Sequence, residues 1–222
     1  MIGGGALAIW FDVDPADRPQ LDEWYPQQHL PERLGVPGFL RGRRYAVAGD
    51  GPAFFTLYET YDATVLSSPA YLARLGNPTE WTRRVLPTFR WMTRNAYRLI
   101  GAASADVLAP HLLTARIKPD SGRGPSVNDW LQREAVRVVS AVYGVAACGV
   151  YVSESASTGV VTEERKLVGG EVVPATPFLA LCEITDARAQ PALREFWEAW
   201  GRRIAAEVTV DVYRLLYGLS WL

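Results

Sequence analysis

The chain has two histidines, and one of them sits where its chemistry could be used. His29 lies in the stretch Trp24-Tyr-Pro-Gln-Gln-His-Leu-Pro-Glu-Arg33. An imidazole titrates near neutral pH, so it can act as general acid or base on a small enolisable or phenolic molecule. Tyr25 stands four residues earlier, one helical turn away, where it could orient the imidazole or contact a substrate. His29 and Tyr25 are the candidate catalytic residues. Gln28 beside them, Tyr45 and Tyr58 on strands that follow, and Trp81 on a later helix are the candidate substrate-binding residues. The plainer alternative has His29 packed at a kinked helix end, bonded to a backbone carbonyl.

A second constellation is Glu59 and Glu183. Each shares a strand face with apolar residues by alternation. A half-buried carboxylate needs a partner, and Arg98 and Arg214, which recur in matching places, are the candidates; a scaffold role is expected. Trp24, Trp130, Trp81, Trp197 and Trp200 fall at helical positions and read as anchors of helices on sheets. No metal site is expected, because His29 and His111 lie far apart and no Cys/His cluster exists. Cys148 and Cys182 fall on strands of the second half that could be neighbours, and read as reduced, buried thiols. The chain has no G-x-G-x-x-G, P-loop or G-x-S-x-G pattern to signal nucleotide binding or serine hydrolysis.

The bulk properties narrow the partners. The chain has 222 residues, 49% of them hydrophobic and 21% charged, with a net charge of −1. No basic stripe suits a duplex, so no nucleic-acid partner is expected. Arg41, Arg43 and Arg44 form the densest basic cluster and read as a solvated strand face. No apolar run approaches the roughly 18–20 residues that span a bilayer, so no membrane partner is expected. Met1-Ile-Gly-Gly-Gly lacks the basic start of a signal peptide, which makes the cytoplasm the default expectation.

The elements that must hold these residues follow from periodicity. Ala6–Asp14 reads as a strand. A helix capped at Asp17 carries Leu21, Trp24, Tyr25, Gln28 and Leu30 on roughly one side, and Pro26 and Pro31 should kink or split it. Strands at Phe39–Ala48 and Ala53–Asp62 flank the turn Gly49–Pro52 and should form a hairpin. Helical segments follow at Ala63–Leu75 and Pro78–Arg90, then a strand at Asn95–Ser104. After a linker the order restarts. A strand at His111–Lys118, a helix at Ser126–Val142 and a strand at Gly144–Ser153 come first. Glu154–Pro177 reads as a β-hairpin excursion. A strand at Phe178–Asp186, a helix at Arg188–Glu207 and a strand at Val210–Leu222 complete the order.

The restart is an echo. Trp24 matches Trp130, Gly38 matches Gly144 and Tyr45 matches Tyr151 at one ungapped offset of 106 residues. Leu57, Glu59 and Asp62 match Leu181, Glu183 and Asp186, and Tyr97-Arg-Leu99 matches Tyr213-Arg-Leu215. The fold class is therefore α+β: two fused ferredoxin-like β-α-β-β-α-β repeats, residues 1–104 and 105–222. A four-stranded sheet with helices on one face must cover the other. Two such sheets packed together form an intramolecular α/β barrel.

With His-Leu-Pro-Glu-Arg33 closing the first helix and Pro37-Gly-Phe-Leu-Arg-Gly-Arg-Arg-Tyr45 opening the next strand, the chain resembles the dimeric α/β-barrel superfamily, and within it EthD-like proteins. That resemblance implies a pocket between helices and sheet, in a superfamily where several relatives perform cofactor-free oxygenation, cyclisation, dehydration or decarboxylation. It implies an enzyme needing no cofactor, with a small-molecule ligand; some relatives carry haem on an axial histidine, and His111 suits that poorly. The histidine motif is confined to the first half, since Ala135 replaces His29 in the second. A non-catalytic ligand-binding or structural module is the other reading. Since the duplication supplies an internal partner, the chain is expected to be a pseudo-dimeric monomer or a homodimer.

Overall fold

The computed structural model describes residues 2–104, 108–154, 160–169, 176–204 and 206–221. The first half contains β1 (Gly5–Val13), α1 (Arg18–Trp24), a π-helical turn (Tyr25–His29), α2 (Leu30–Leu34), β2 (Phe39–Val47), β3 (Phe54–Thr60), α3 (Pro69–Gly76), α4 (Glu80–Val85) and β4 (Phe89–Ser104). The second contains β5 (His111–Pro119), α5 (Gly124–Trp130), a second π turn (Leu131–Ala135), α6 (Val136–Ser140), β6 (Val145–Ser153), α7 (Glu163–Leu167), β7 (Phe178–Ile184), α8 (Gln190–Ile204) and β8 (Ala206–Ser220). Everything from β5 to β6 repeats the bounds of β1 to β2, 106 residues on, as Gly5–Val13 and His111–Pro119 illustrate.

The eight strands close into one antiparallel barrel in the order β1-β3-β2-β8-β5-β7-β6-β4. Each half contributes a ferredoxin-like quartet. The quartets join edge to edge, β2 on β8 (Tyr45 opposite Leu215) and β4 on β6 (Leu99 opposite Tyr151). The fold is thus the expected pair of fused ferredoxin-like units, and the strands that would be edges of each sheet are paired with the other half. None of the described helices is long and apolar enough to cross a membrane.

Three apolar layers result. Trp10, Tyr45, Phe55, Leu57, Tyr97, Tyr151 and Tyr213 fill the barrel interior. One outer core lies between the first-half helices and the sheet, around Leu7, Phe11, Trp24, Tyr25, Tyr58 and Phe89. The other lies under α5, α6 and α8, where Trp130 stacks on Trp200 at 3.9 Å.

Several sequence expectations need correction. Arg41, Arg43 and Arg44 are buried, not solvated, because β8 pairs with the edge of β2 and closes the barrel over one of its faces, and the first-half helices cover the other. Glu59 and Glu183 do not pair with Arg98 and Arg214. Inside the barrel Arg43 ion-pairs with both carboxylates, and Arg41 Nε donates to Glu59 Oε2 at 2.7 Å. Arg98 instead pairs with Glu154 at 2.9 Å, and Arg214 is exposed. The helix expected at Pro78–Arg90 ends at Val85, and β4 begins at Phe89 rather than Asn95.

Two backbone devices shape the first-half cavity. Pro26 does not split the helix: it sits within the π turn, whose end is marked by the Leu30 N–H reaching back to the Tyr25 carbonyl. The second half has its π turn at the matching place without a proline, so the turn belongs to the shared fold. On β4, Trp91 adopts a positive φ of 51° where the pairing with β1 shifts register between Trp10 and Asp12. That bulge breaks the alternation, so Phe89 and Met92 both face the helices.

A candidate active site under a borrowed roof

His29 sits at the end of the π turn, buried to 5% exposure. The Trp24 ring packs against it at 4.1 Å and Tyr25 meets it edge-on at 5.0 Å, with Tyr58 at 6.3 Å. Its Nδ1 is buried and has no hydrogen-bond partner among the described residues. The bland expectation of a carbonyl-bonded ring nitrogen is therefore not what this nitrogen shows. Burial, and then the nearby Arg33 and Arg74 cations, hold the imidazole pKa well below its usual value. The ring is neutral at pH 7, a base able to accept a proton.

Tyr25 is fully buried. Thr56 Oγ1 on β3 donates to its hydroxyl at 3.1 Å, which leaves the phenolic proton for another acceptor. Burial raises its pKa to about 12, so it acts as a donor and not a base. Behind it the Arg44 guanidinium lies 4.7 Å over the ring and is itself held by Asp22 at 2.8 Å. That cation and Thr56, its direct partner across the β2–β3 pairing, hold the tyrosine at its ring and at its hydroxyl.

Both residues line one mainly apolar cavity. Its floor is β1 and β4 (Leu7, Ile9, Met92), and its walls are the π turn, α2 and α3 (Tyr71, Leu75). The free volume is about 60 Å³. On that scale it has room for about four to six waters, or one small ring.

The roof comes from the other half of the chain. Val160, Thr162, Glu164, Arg165 and Val168, from the long insertion between β6 and β7, close over the cavity. The insertion was expected as a β-hairpin. Its described part, residues 160–169, instead contains α7, whose Thr162 side chain caps it by accepting from the Arg165 N–H at 3.3 Å; residues 155–159 and 170–175 lie outside the described residues. The latch is a buried ion pair between Arg33 of α2 and Glu164, at 3% and 8% side-chain exposure. Burial disfavours the Arg33 cation, and the Glu164 charge outweighs that and raises its pKa.

Of the other candidates, Tyr58 is brought against His29 but does not line the cavity. Its hydroxyl is buried without a described partner, and burial followed by the neighbouring Tyr25 raises its pKa well above 10. Gln28 points away. Its amide donates to Thr79 Oγ1 at 2.5 Å and Thr82 Oγ1 at 3.0 Å, fastening α4 to the π turn. Tyr45 is inside the barrel, on the other face of the sheet, because β2 alternates. Trp81 packs, half-buried, at the rim of the first-half core and does not line the cavity. The residues that sequence reasoning missed are Arg33, Tyr71, Arg94, Glu164 and Arg165. Arg33 follows His29 at helical spacing and was within reach of that reasoning. Glu164 and Arg165 arrive through an insertion whose destination no periodicity reveals.

Some members of the superfamily that the sequence resembles carry haem. The residues do not fit it: the space beside His29 holds a single small ring, and His111 heads a strand paired on both sides.

Comparison with protein-family models and with curated sequences finds no match. Solved structures do match over the whole chain. An anthrone oxidase-like protein shares 12% identity at a TM-score of 0.64, covering 97% of this chain and 92% of its own. A putative monooxygenase from Fusobacterium nucleatum shares 10% at a TM-score of 0.62, covering 100% and 96%. A putative chlorite dismutase shares 12% at 0.56, covering 96% and 94%. At such identities the likeness is one of fold: this chain has the α/β architecture of these proteins.

Proposed function

We propose that the chain is an EthD-like, cofactor-independent enzyme acting on a small hydrophobic or phenolic molecule. It carries its one active site in the first of two duplicated units, divided near residues 104 and 105. The observation that carries this reading is His29: a neutral, buried imidazole whose Nδ1 has no partner among the described residues, facing a partly enclosed, mainly apolar cavity beside a phenol donor. Buried polar atoms without partners are uncommon in folded proteins and call for an explanation.

In the proposed step His29 takes a proton from a substrate O–H or from a C–H next to a carbonyl. The electron pair stays on the substrate, as phenolate or enolate, and the Tyr25 hydroxyl donates to its oxygen. The imidazolium later returns the proton. Low dielectric strengthens both interactions. The fold neighbours described as anthrone oxidase-like and monooxygenase fit chemistry that begins with such an anion.

The test is a thermal-shift screen of phenols and enolisable ketones, followed by mass-spectrometric detection of turnover. Hits should lose binding or turnover in His29→Gln and lose rate in Tyr25→Phe. Hits bound and converted equally by wild type and His29→Gln would sink the proposal. Binding that needs His29 but gives no turnover would mark a ligand-binding module.

A further inference from the structure

The charges around the cavity do not balance. Its lining includes three guanidinium groups, from Arg33, Arg94 and Arg165, and one carboxylate, Glu164. Glu164 is already engaged by Arg33. Among the described residues Arg94 donates only to a neutral group, the Tyr71 hydroxyl, at 3.1 Å. Arg165 Nη1 is buried with no hydrogen-bond partner, and no acidic group among the described residues pairs with either arginine. Burial, and then Arg94 itself, lowers the pKa of Arg165. Two like charges thus face one space in which no carboxylate among the described residues pairs with either of them.

Guanidinium forks match a carboxylate in geometry and charge. Much of the rest of the lining, including Leu7, Ile9, Leu66, Leu75, Phe89 and Met92, offers apolar contact, and Tyr25, His29, Tyr71 and Thr162 add neutral polar groups. We propose that the ligand is a small aromatic carboxylic acid, its carboxylate held between Arg94 and Arg165 and its ring lying on Leu7, Ile9 and Met92. This deepens the reading above and rests on the cavity's being the ligand site. The acid group would hold one end of the molecule while His29 and Tyr25 address the other. The arginines reach the space from opposite sides, Arg94 from the β4 floor and Arg165 from the α7 roof. The ligand's carboxylate therefore ties the roof to the barrel, as Glu164 does through Arg33.

The test uses 4-hydroxybenzoate, its methyl ester and inorganic phosphate, with affinity measured by calorimetry on the full chain. Wild type should bind the acid at least about tenfold more tightly than the ester, the worth of one modest charge-assisted contact. Arg94→Met and Arg165→Met should each abolish that preference. His29→Gln should weaken acid and ester alike and keep the preference, so the anion clamp and the histidine site fail separately. Equal affinity for acid and ester, no binding of the acid at millimolar concentration, or phosphate binding as tightly as the acid would each overturn the proposal. Folding supplies a second check. Arg165→Met removes a repulsion, so its Tm should hold or rise; a fall beyond about 5 °C would reveal a structural partner and overturn the proposal as well.

Discussion

Replacing Arg43 with methionine isolates the charge cluster inside the barrel. Arg43 is fully buried and ion-paired with Glu59 and Glu183, which lie at 2% and 0% side-chain exposure. Its loss affects the two acids unequally. Glu59 keeps Arg41 at 2.7 Å and the Ile2 N–H at 2.9 Å. Glu183 keeps no described partner, since its Oε2 has none already. The damage is then one buried, uncompensated carboxylate, about 3–5 kcal/mol. With a urea m value of about 3 kcal/mol/M for a chain of this size, the midpoint should fall by roughly 1–1.7 M at pH 7.5. Burial disfavours the Glu59 charge, but Arg43 and Arg41 outweigh it and lower its pKa, so its contribution is present above about 4.3 and lost as pH falls below. The double variant Arg43→Met/Glu183→Gln should recover most of the loss. A midpoint shift under about 0.3 M, or a double variant no better than the single, would refute the reasoning.

Three other outcomes follow from the same structure. Because the folded-state pKa of His29 is depressed, its contribution is intact above about pH 6.5 and is lost as pH falls below; melts at pH 7.5 and pH 5 should show a smaller acid-induced drop in Tm for His29→Gln than for wild type. Gly38 has φ +94°, and a Cβ there would come within 2.6 Å of Val65 Cγ2, so Gly38→Ala should cost about 1–3 kcal/mol in urea unfolding; an unchanged midpoint contradicts the geometry. Cys148 and Cys182 are directly opposed, fully buried, with Sγ atoms 3.8 Å apart, and the neighbouring thiol and burial raise the Cys148 pKa well above 9. A thiol reagent should therefore label both promptly in denaturant and neither in the native protein.

Much of the architecture was legible because sequence landmarks of the first half recur in the second. A match at one fixed offset locates α1, the π turn, α2 and β2 against their second-half counterparts, and glycines at matching positions adopt φ +94° and +88°. His29 and Tyr25 stood out because the second half does not repeat them. What was not legible depends on closure of the barrel. Arg41-Gly-Arg-Arg44 has the pattern of a solvent-facing strand, and only the pairing of β2 with β8 buries it. Arg43 has no counterpart, as Gly149 stands in its place, so the echo gave no hint that one arginine serves both repeated glutamates. The Arg33–Glu164 latch joins residues 131 apart in sequence, beyond any local pattern.

The roof makes the two halves unequal dependants. Two copies of the first half alone would present two histidines and cover neither, because α7 belongs to the second half. The second half has no histidine at the matching turn, and its helical layer is filled by Trp130, Trp197 and Trp200. Joined in one chain, a half without the imidazole shelters the half that has it. A split chain should accordingly regain a covered cavity only when both fragments are present together.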